Sequence, residues 1–381
     1  MTLFQDASGD PRAATAKLAD VLSWYGALGD AAAGNPPGFC VRKASIAVAL
    51  CEIVSAPAEE SHVAFFSGLL HAVGTLGNAA YRKGSDLPER VARIESWDIP
   101  AEGARIVATI AALPAQSADL VRWQSECWDG TGYPDQLRWH GIPRTAQFLA
   151  LADTFARAGD PEEALGAIGL QSGRAFGPDA ARAFVTWFHS TGGEDTAQPF
   201  PRDALLPGVT SAEKLFDEIS DRVDEHNGVS GRWRRVERLS LATADALKTD
   251  DDTRRQIEIA SRIFGAGELA SSMIEDSRFD PLARLGIDDR AKHAALAASL
   301  ASRLESMGDA PAAVASRGEW YDGTGKPRGL TQKSIPMAAR ILSATIAYDK
   351  LDRAERLDTA VGTQFGPHVV RAVFEAAKAK A

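Results

Sequence analysis

Alanine-rich segments, in which apolar residues recur every three or four positions, alternate with short polar breaks along the chain. In the segment from Asp288 to Met307, Leu296, Leu300 and Leu304 recur at every fourth position after an acidic start. That spacing places the three leucines on one face of a helix. Strictly alternating patterns, which are typical of strands, are scarce. The sequence therefore predicts an all-α fold.

Proline and glycine divide this helical pattern. A helix is predicted to open at Pro100, to carry Ile106 and Ile110 on one face, and to stop at Pro114. The polar stretch 190–207, which is rich in glycine and proline, is typical of a linker between two helical units.

The two halves of the chain resemble each other. Residues 128–152 align without gaps with residues 321–345, sharing Asp-Gly-Thr-Gly, Pro, Leu, Ile-Pro, Ala, Leu and Ala in register. Further on, the segment from Phe176 matches the segment from Phe365, in the same order and at nearly the same separation. Matches that repeat in order indicate a tandem duplication.

Composition narrows the function classes. The chain has 381 residues, 45% of them apolar, and a net charge of −9. That length allows two hydrophobic cores, and the negative charge argues against a nucleic-acid partner. No secretory signal or membrane-spanning run is evident, so we expect a cytoplasmic protein without a membrane partner. The basic run 232–235 is interpreted as a solvated helix start, and the three scattered cysteines as free thiols.

Both copies carry an ordered set of residues in and after a glycine-rich turn. In the first copy these are Glu126, Trp128, Asp129, Gly130, Gly132, Tyr133 and Pro134, followed by Ile142-Pro143 and Asp153. In the second copy they are Glu319, Asp322, Gly323, Gly325 and Pro327, followed by Ile335-Pro336, Ala339-Arg340-Ile341-Leu342 and Gly362-Thr363-Gln364-Phe365. This set resembles the HD-GYP branch of the HD-domain metal-dependent phosphohydrolases, over most of residues 36–190 and 225–381.

The resemblance implies two tandem HD-domain-like helical bundles, and in active members two or three iron-like or manganese-like ions that activate water to cleave cyclic di-GMP. We predict four parts: an N-terminal segment (1–35), a first HD-GYP-like domain (36–190), a linker (191–210) and a second, more degenerate HD-GYP-like domain (211–381). Divalent ions held by imidazole and carboxylate groups would neutralise the phosphate and generate the nucleophile.

Few of the implied metal ligands are present. No histidine in the chain is followed by aspartate. In the first copy the ligand positions fall on Phe39, His71-Ala72, Ile99, Gln124-Ser125 and Asp153, and in the second on Arg232, the region of Arg262-Ile263, Arg317-Gly318 and Ile346. Apolar groups cannot replace imidazole or water around a cation. We therefore expect no cofactor, with His71 and Asp153 as the relic metal ligands.

The remaining site candidates have two interpretations each. His71 is either a hydrogen-bonded core histidine or a ligand, and Asp153 either a relic ligand or a structural carboxylate. Glu126 and Asp129 complete the candidate residual site. Glu126 is also interpreted as a structural residue that orients the loop, because Glu319 repeats it in the second copy. If Phe39 and Ile99 fill the space between His71, Glu126 and Asp153, an enzyme is excluded, whereas an open pocket with convergent carboxylates would favour one.

The glycine-rich turn also has two interpretations. It can be architectural, with glycines at positive φ, Asp129 satisfying backbone donors and Pro134 fixing the exit. In the family it is implicated in docking diguanylate cyclase (GGDEF) domains, which would make an interaction loop of Trp128, Asp129, Gly130, Thr131, Gly132, Tyr133 and Pro134.

The sequence favours a catalytically degenerate HD-GYP-like regulatory module in bacterial signalling, which acts by binding. Its expected partner is a protein such as a diguanylate cyclase domain, while cyclic di-GMP binding is the weaker alternative. No receiver, sensor or helix-turn-helix segment is evident. The alternative from the enzyme class is a phosphohydrolase that uses iron or manganese at a reduced site around His71, Glu126 and Asp153 and acts on cyclic di-GMP or another phosphoester.

Overall fold

Helices make up the regular structure in the described part of the chain. The computed structural model describes residues 11–77, 89–110, 113–194, 212–269, 289–301, 307–350 and 355–378. Within these ranges the β-structure consists of isolated bridges, one between Ser172 and Phe176 and one between Val361 and Phe365. The prediction of an all-α fold is confirmed.

The chain divides into two compact units, Asp6–Ala212 and Glu213–Ala381. The linker was predicted over 190–207, and its first residues belong to a helix that ends at Thr191. Residues 195–211 lie outside the described part. The helix Pro11–Ala33, which falls in the predicted N-terminal segment, packs within the first unit.

The first unit contains nine α-helices in its described residues, with a short 3₁₀ helix at Trp139–Gly141. The helices are α1 Pro11–Ala33, α2 Phe39–Ile53, α3 Ala58–Leu69, α4 Gly74–Gly77, α5 Glu89–Ala108, α6 Gln116–Trp123, α7 Arg144–Arg157, α8 Pro161–Leu170 and α9 Pro178–Thr191.

The second unit repeats this order in its described residues. Its helices are α10 Ala212–His226, α11 Arg232–Ala246, α12 Asp251–Ile263, α13 Ala266–Leu269, α14 Asp289–Ala301, α15 Ala310–Ala315, α16 Met337–Lys350, α17 Glu355–Thr359 and α18 Pro367–Lys378. A 3₁₀ helix at Gln332–Ser334 again precedes the seventh helix. Because the helices correspond one to one, the tandem duplication is confirmed in the fold.

Local sequence signals explain several helix ends. Asp160 caps α8 by accepting hydrogen bonds from the backbone N–H groups of Glu162 and Glu163, and Pro161 occupies the first turn, where its missing N–H costs nothing. Helix α9 ends at Gly192, whose φ of 67° is the left-handed conformation that glycine adopts readily. These caps fix the start of α8 and the end of α9.

Aromatic rings form the centre of the first unit's core. Phe155 on α7 packs edge-on against Phe184, Trp187 and Phe188 of α9, with ring centroids 5.3 to 6.1 Å apart. Complete burial of a side chain of this size contributes about 1.5–3 kcal/mol. The contact holds α7, which carries Asp153, firmly against the core.

Two of the helix predictions need correction. Pro100 does not open a helix but lies inside α5, which ends at Ala108 rather than at Pro114. In α14 the buried face is formed by alanines, among them Ala297, whereas Leu296 and Leu300 are only half-buried. Leu304, the third leucine of the predicted stripe, lies outside the described residues. A Cβ on Gly267 would collide with the backbone oxygen of His293 in α14, so this helix approaches its neighbour too closely for leucines at the contact.

No helix in the described ranges has both the length and the apolar character needed to cross a bilayer.

Candidate functional site

The glycine-rich turn of the first unit is built around one buried carboxylate. Glu126 Oε1 accepts the backbone N–H of Asp135 at 2.7 Å, and Oε2 accepts that of Leu137 at 3.0 Å. Asp129 Oδ1 accepts hydrogen bonds from the backbone N–H and the hydroxyl of Thr131, which lowers the pKa of Asp129. Both acids are therefore bound to the loop itself.

The second unit builds its turn in the same way. Glu319 accepts the backbone N–H groups of Arg328 at 2.7 Å and Leu330 at 2.8 Å, and Asp322 accepts from Thr324. Because the contacts recur atom for atom in both copies, the loop's geometry belongs to the fold. This agrees with the architectural interpretation of Glu126 and Asp129.

The two glycines of the first turn serve different purposes. Gly130 has a φ of 82°, as expected for a glycine at positive φ. Gly132 was expected to share that conformation but does not. A Cβ at Gly132 would collide with the backbone of Cys127 and Glu126, so this position needs glycine because two segments of chain touch.

The aromatic residues of the loop differ in exposure. Trp128 is half-buried and stands edge-on to His140, with ring centroids 5.1 Å apart. Tyr133 is also half-buried and lines a cavity, while Thr131 is exposed. Trp139, just beyond the loop, is the most exposed aromatic ring in the described residues at 59%. Pro134 follows a cis peptide bond, as does its counterpart Pro327.

A cavity of about 540 Å³ lies beside this loop in the first unit. Four of the sequence candidates line it, namely His71, Glu126, Tyr133 and Asp153. Gln124 and Ser125, which stand at a ligand position of the resemblance, also line it. The lining further includes polar residues that sequence reasoning did not select: Asn35, Lys43, Thr75 and Arg157. Asp129 is not among the lining residues. The structure thus brings together the three residues of the predicted reduced site but leaves Asp129 on the loop.

The cavity is open and mostly polar. Ile99 lines one wall, while Phe39 is buried and packs on the ring of His71 with centroids 5.4 Å apart. These two residues therefore leave the space between His71, Glu126 and Asp153 open, whereas convergence of the carboxylates stays a prediction.

A buried ammonium group stands among the residues that match metal ligands. Lys43 Nζ donates to Gln124 Oε1 at 2.7 Å and to Asp153 Oδ1 at 3.0 Å, with only 2% of its side chain exposed. Burial lowers the pKa of Lys43, while the charge of Asp153 opposes this effect. Gln124 and Asp153 are two positions where the resemblance places metal ligands.

Asp153 is held by a second cation. Arg157, one turn further along α7, donates from Nε to Asp153 Oδ2 at 2.7 Å and from Nη2 to Oδ1 at 3.3 Å. Its guanidinium also donates to Asn35 and stacks on Phe39. Although burial opposes ionisation, the charge of Lys43 and the hydrogen bond from Arg157 keep the pKa of Asp153 well below its usual range. Both carboxylate oxygens already accept hydrogen bonds from cations.

His71 is a neutral, hydrogen-bonded residue of the cavity wall. Its Nδ1 lies 3.1 Å from the backbone oxygen of Gly68, and its Nε2 lies 3.4 Å from Asn35 Nδ2 and 3.7 Å from Asp30 Oδ1. Burial, with Lys43 nearby, lowers the pKa of His71 well below its ordinary value. We place the ring proton of His71 on Nδ1, because the Gly68 carbonyl that it contacts can only accept a hydrogen bond. Nε2 is then the acceptor.

These residues do not fit the ion cluster that the resemblance implies. Two or three divalent ions need several carboxylate and imidazole ligands, and their place would be shared with two cationic side chains. Among the described residues no group of three or more His, Cys, Asp or Glu could hold a metal ion. Gln124 is not free to bind a metal while Lys43 is present, because its Oε1 accepts from Lys43 and its Nε2 donates to the backbone oxygens of His71 and Val121.

The second unit also has basic side chains at the positions that match the first unit's cavity, but its own cavity is much smaller. Arg232, predicted as part of a solvated helix start, is buried and donates to Glu268 at 3.0 Å. A cavity of about 70 Å³ remains, lined by Arg317, Ile346 and Lys350 among others. These three residues stand where the first copy has Gln124, Asp153 and Arg157. The second copy therefore lacks the space for a ligand of nucleotide size.

The histidine–aspartate position of the second copy lies slightly beyond Arg262-Ile263. Gly74 and Gly267 each pack tightly against a backbone oxygen of the next long helix, which identifies them as equivalent. Counting back three residues from each makes Phe264 the counterpart of His71. Phe264 stacks under the guanidinium of Arg232, as Phe39 and His71 contact each other in the first unit.

Sequence reasoning missed Lys43 and Arg157, as well as a buried acid behind them. Asp30 accepts the backbone N–H of Cys40 at 2.7 Å, and Asp224 accepts that of Trp233 at the same distance in the second copy. Burial raises the pKa of both acids to about 6. A signal for Lys43 existed in the sequence, because it shares the helical stripe of the buried residues around it in α2.

Comparisons with known proteins agree with this architecture. A profile described as HD domain matches the chain twice, at residues 27–174 and 217–364. The curated 3'3'-cGAMP-specific phosphodiesterase 3 of Vibrio cholerae serotype O1 is 25% identical over 257 residues, which are 61% of this chain and 53% of the relative. The chain thus spans about half the length of that relative.

A solved structure is similar over both units. The crystal structure of a cyclic GMP-AMP specific phosphodiesterase of V. cholerae aligns with a TM-score of 0.62 and 17% identity, covering 95% of this chain and 97% of the other. At this identity the likeness concerns the fold.

Proposed function

Because the chain belongs to the HD-domain family, whose profile matches it twice, we propose that it is a non-hydrolytic HD-domain module that acts by binding. In this proposal the first unit holds a phosphodiester ligand of the cyclic dinucleotide class in its open cavity. The second unit, with its closed cavity, has a structural role. One observation carries the proposal: the ammonium of Lys43, bonded to Asp153 and Gln124, stands among the positions that match metal ligands.

Lys43 and Arg157 supply positive charge but cannot supply metal chemistry. An ammonium or guanidinium group attracts a phosphate and donates hydrogen bonds to it. Neither group has an open coordination position at which to bind water and lower its pKa toward neutrality, as a divalent ion does. This supports a cavity that recognises an anion without cleaving it.

The cavity also offers unused hydrogen-bonding capacity. An ammonium carries three N–H donors, and Lys43 has two acceptors within the described residues. A donor left without an acceptor in a buried position is costly unless water or a ligand group satisfies it. The half-exposed guanidinium of Arg157 lies on the same wall. Together they support binding of a phosphate oxygen at this wall.

The choice of ligand class follows the relatives. The similar relative and the similar solved structure are both named for phosphodiesterases specific for cyclic GMP-AMP, and the HD-GYP resemblance implies cyclic di-GMP. The test is equilibrium binding of each dinucleotide to the purified chain, by calorimetry, with chromatography of the mixture for products. We expect binding without products, weakened in Arg157→Met and unchanged in Arg42→Met. Binding by neither dinucleotide would overturn the ligand assignment.

A phosphohydrolase remains the second candidate, because the cavity is open and both His71 and Asp153 line it. The same chromatography separates the two functions when manganese or iron is added. Linear dinucleotide that forms with wild type and is lost in Asp153→Asn would establish the enzyme.

A protein partner is a separate proposal, which concerns the loop and not the cavity. The loop of residues 128–134 keeps an exposed Thr131, and the adjacent Trp139 is 59% exposed, whereas the second copy has Gln332 at the position of Trp139. An exposed tryptophan supplies the contact area typical of binding hot spots. A pull-down with a diguanylate cyclase domain should weaken in Trp139→Ala but not in the control Leu170→Ala, whose side chain is also exposed. Equal capture by both variants would contradict docking at this loop.

A further inference from the structure

We infer that the ammonium of Lys43 is a built-in substitute for the metal ions of the family, and that its removal would create a site for a divalent cation. The inference deepens the proposed function, since it explains why the cavity would bind an anion without cutting it. The inference is tested by measuring metal binding to variants, whereas the proposed function is tested by measuring dinucleotide binding to the unaltered chain. Either can fail while the other stands.

The position of Lys43 is the first argument. Its Nζ lies 2.7 Å from Gln124 Oε1 and 3.0 Å from Asp153 Oδ1, so it bridges two positions that match metal ligands. Only 2% of the Lys43 side chain is exposed, so the surrounding helices fix its position. Lys43 starts from α2, and Asp153 from α7, two helices that pack extensively against each other.

The electrostatic need is the second argument. Asp153 is partly buried in the cavity wall, with 26% of its side chain exposed, and a nearby cation offsets the cost of burying its charge. Lys43 and Arg157 together provide two positive charges for this one carboxylate. The charge that bound ions would otherwise supply is therefore covalently attached to the chain.

The second unit gives an independent instance of the same exchange. Arg232 stands at the position of the family's early histidine, and it is 3% exposed. It pairs with Glu268 at 3.0 Å, and Lys350 lies 3.9 Å from the same carboxylate. The two copies use different residues, a lysine on α2 in one and an arginine at the start of α11 in the other. Both nevertheless bury a basic group beside an acid, although the acids differ in position, since Glu268 stands where the first copy has Thr75.

Removal of the ammonium would leave a set of potential ligands behind. Asp153 Oδ1 would keep only the 3.3 Å bond from Arg157 Nη2, and Gln124 Oε1 would lose the bond that it now accepts from Lys43. His71 lines the same cavity, but its Nε2 faces Asn35 Nδ2 at 3.4 Å and Asp30 Oδ1 at 3.7 Å, so the two oxygens, completed by water, carry the expected site. Carboxylate and amide oxygens and water are donors that manganese accepts in proteins. A neutral side chain at position 43 therefore turns a cation-filled site into a latent metal site.

The experiment is titration of Mn²⁺ into the full chain, followed by calorimetry, for wild type, Lys43→Met and Arg42→Met. Arg42 is the matched control, because it is the neighbouring basic residue of α2 but contacts Ala156 and Phe155 outside the cavity lining. We expect Lys43→Met to bind Mn²⁺ at least about tenfold more tightly than the other two proteins, which is about 1.4 kcal/mol. Adding Asp153→Asn to Lys43→Met should abolish the gain.

Equal Mn²⁺ affinity in folded Lys43→Met and Arg42→Met would overturn the inference, as would tight Mn²⁺ binding by wild type. If Lys43→Met folds poorly, its thermal midpoint should rise on addition of Mn²⁺, while that of Arg42→Met should not. Lys43→Gln provides a second neutral variant that keeps a hydrogen-bond donor. The inference would also be overturned if Mn²⁺ did not raise the thermal midpoint of Lys43→Met and did not bind to Lys43→Gln.

Discussion

Replacing Lys43 by methionine tests whether its ammonium is energetically coupled to Asp153. Two unit charges 3.0 Å apart attract by about 5 kcal/mol at an effective dielectric constant of about 20. Removing one partner of a buried pair typically costs about 3–5 kcal/mol, because the other charge is left uncompensated. Arg157 still neutralises Asp153 in the variant, so we expect a smaller loss of about 2–3 kcal/mol in the free energy of unfolding.

A double-mutant cycle isolates the pair from the rest of the cavity. Lys43→Met, Asp153→Asn and the double variant are unfolded in urea and followed by circular dichroism, with Arg42→Met as the control on the same helix. We expect a coupling energy of about 1–3 kcal/mol, so that the double variant loses less stability than the two single losses added together. Strictly additive losses would refute the account of Lys43 as the counter-ion of Asp153.

Three further predictions concern the loop and the buried acid. Gly132→Ala should lower the thermal midpoint, because the added Cβ would collide with the backbone of Cys127. Gly141→Ala is the control, since a Cβ there meets open space and should shift the midpoint little. Equal shifts would contradict the close contact. Glu126→Gln should cost about 2–3 kcal/mol in urea denaturation, since it weakens two charge-assisted hydrogen bonds, and an unchanged midpoint would argue against that role. The folded-state pKa of Asp30 is raised from 3.8 to about 6, so its stabilising contribution is present below pH 3.8 and is lost as the pH rises through about 6. Asp30→Asn should therefore flatten the dependence of the free energy of unfolding on pH over that window. An unaltered dependence would contradict the raised pKa.

Much of the architecture could be predicted because it depends on periodic patterns. The three-to-four-residue apolar spacing predicts helices, and the repeated Asp-Gly-Thr-Gly turn predicts two copies of one domain. Errors arose where tertiary contacts override local signals. The leucines of α14 were expected to be its buried stripe, but the close approach to Gly267 selects alanines, among them Ala297. Likewise Gly132 is required by a contact between segments, and not by its own φ.

The candidate site was predictable only in part. Motif spacing identified Glu126 and Asp153, because each lies at a fixed distance from the turn. Lys43 lies 110 residues from Asp153 in the chain, so no local pattern connects the two. The comparison of ligand positions showed which ligands were missing, but it could not show that a basic side chain from another helix had entered the space. Long-range pairing of this kind requires coordinates.

The metal content of the purified chain tests the central claim most directly. The protein would be produced in medium supplemented with iron and manganese and analysed by inductively coupled plasma mass spectrometry, beside the Asp153→Asn variant. We predict far less than one ion per chain in both proteins, because Lys43 and Arg157 already neutralise Asp153. One or more ions per wild-type chain, lost in Asp153→Asn, would contradict the account.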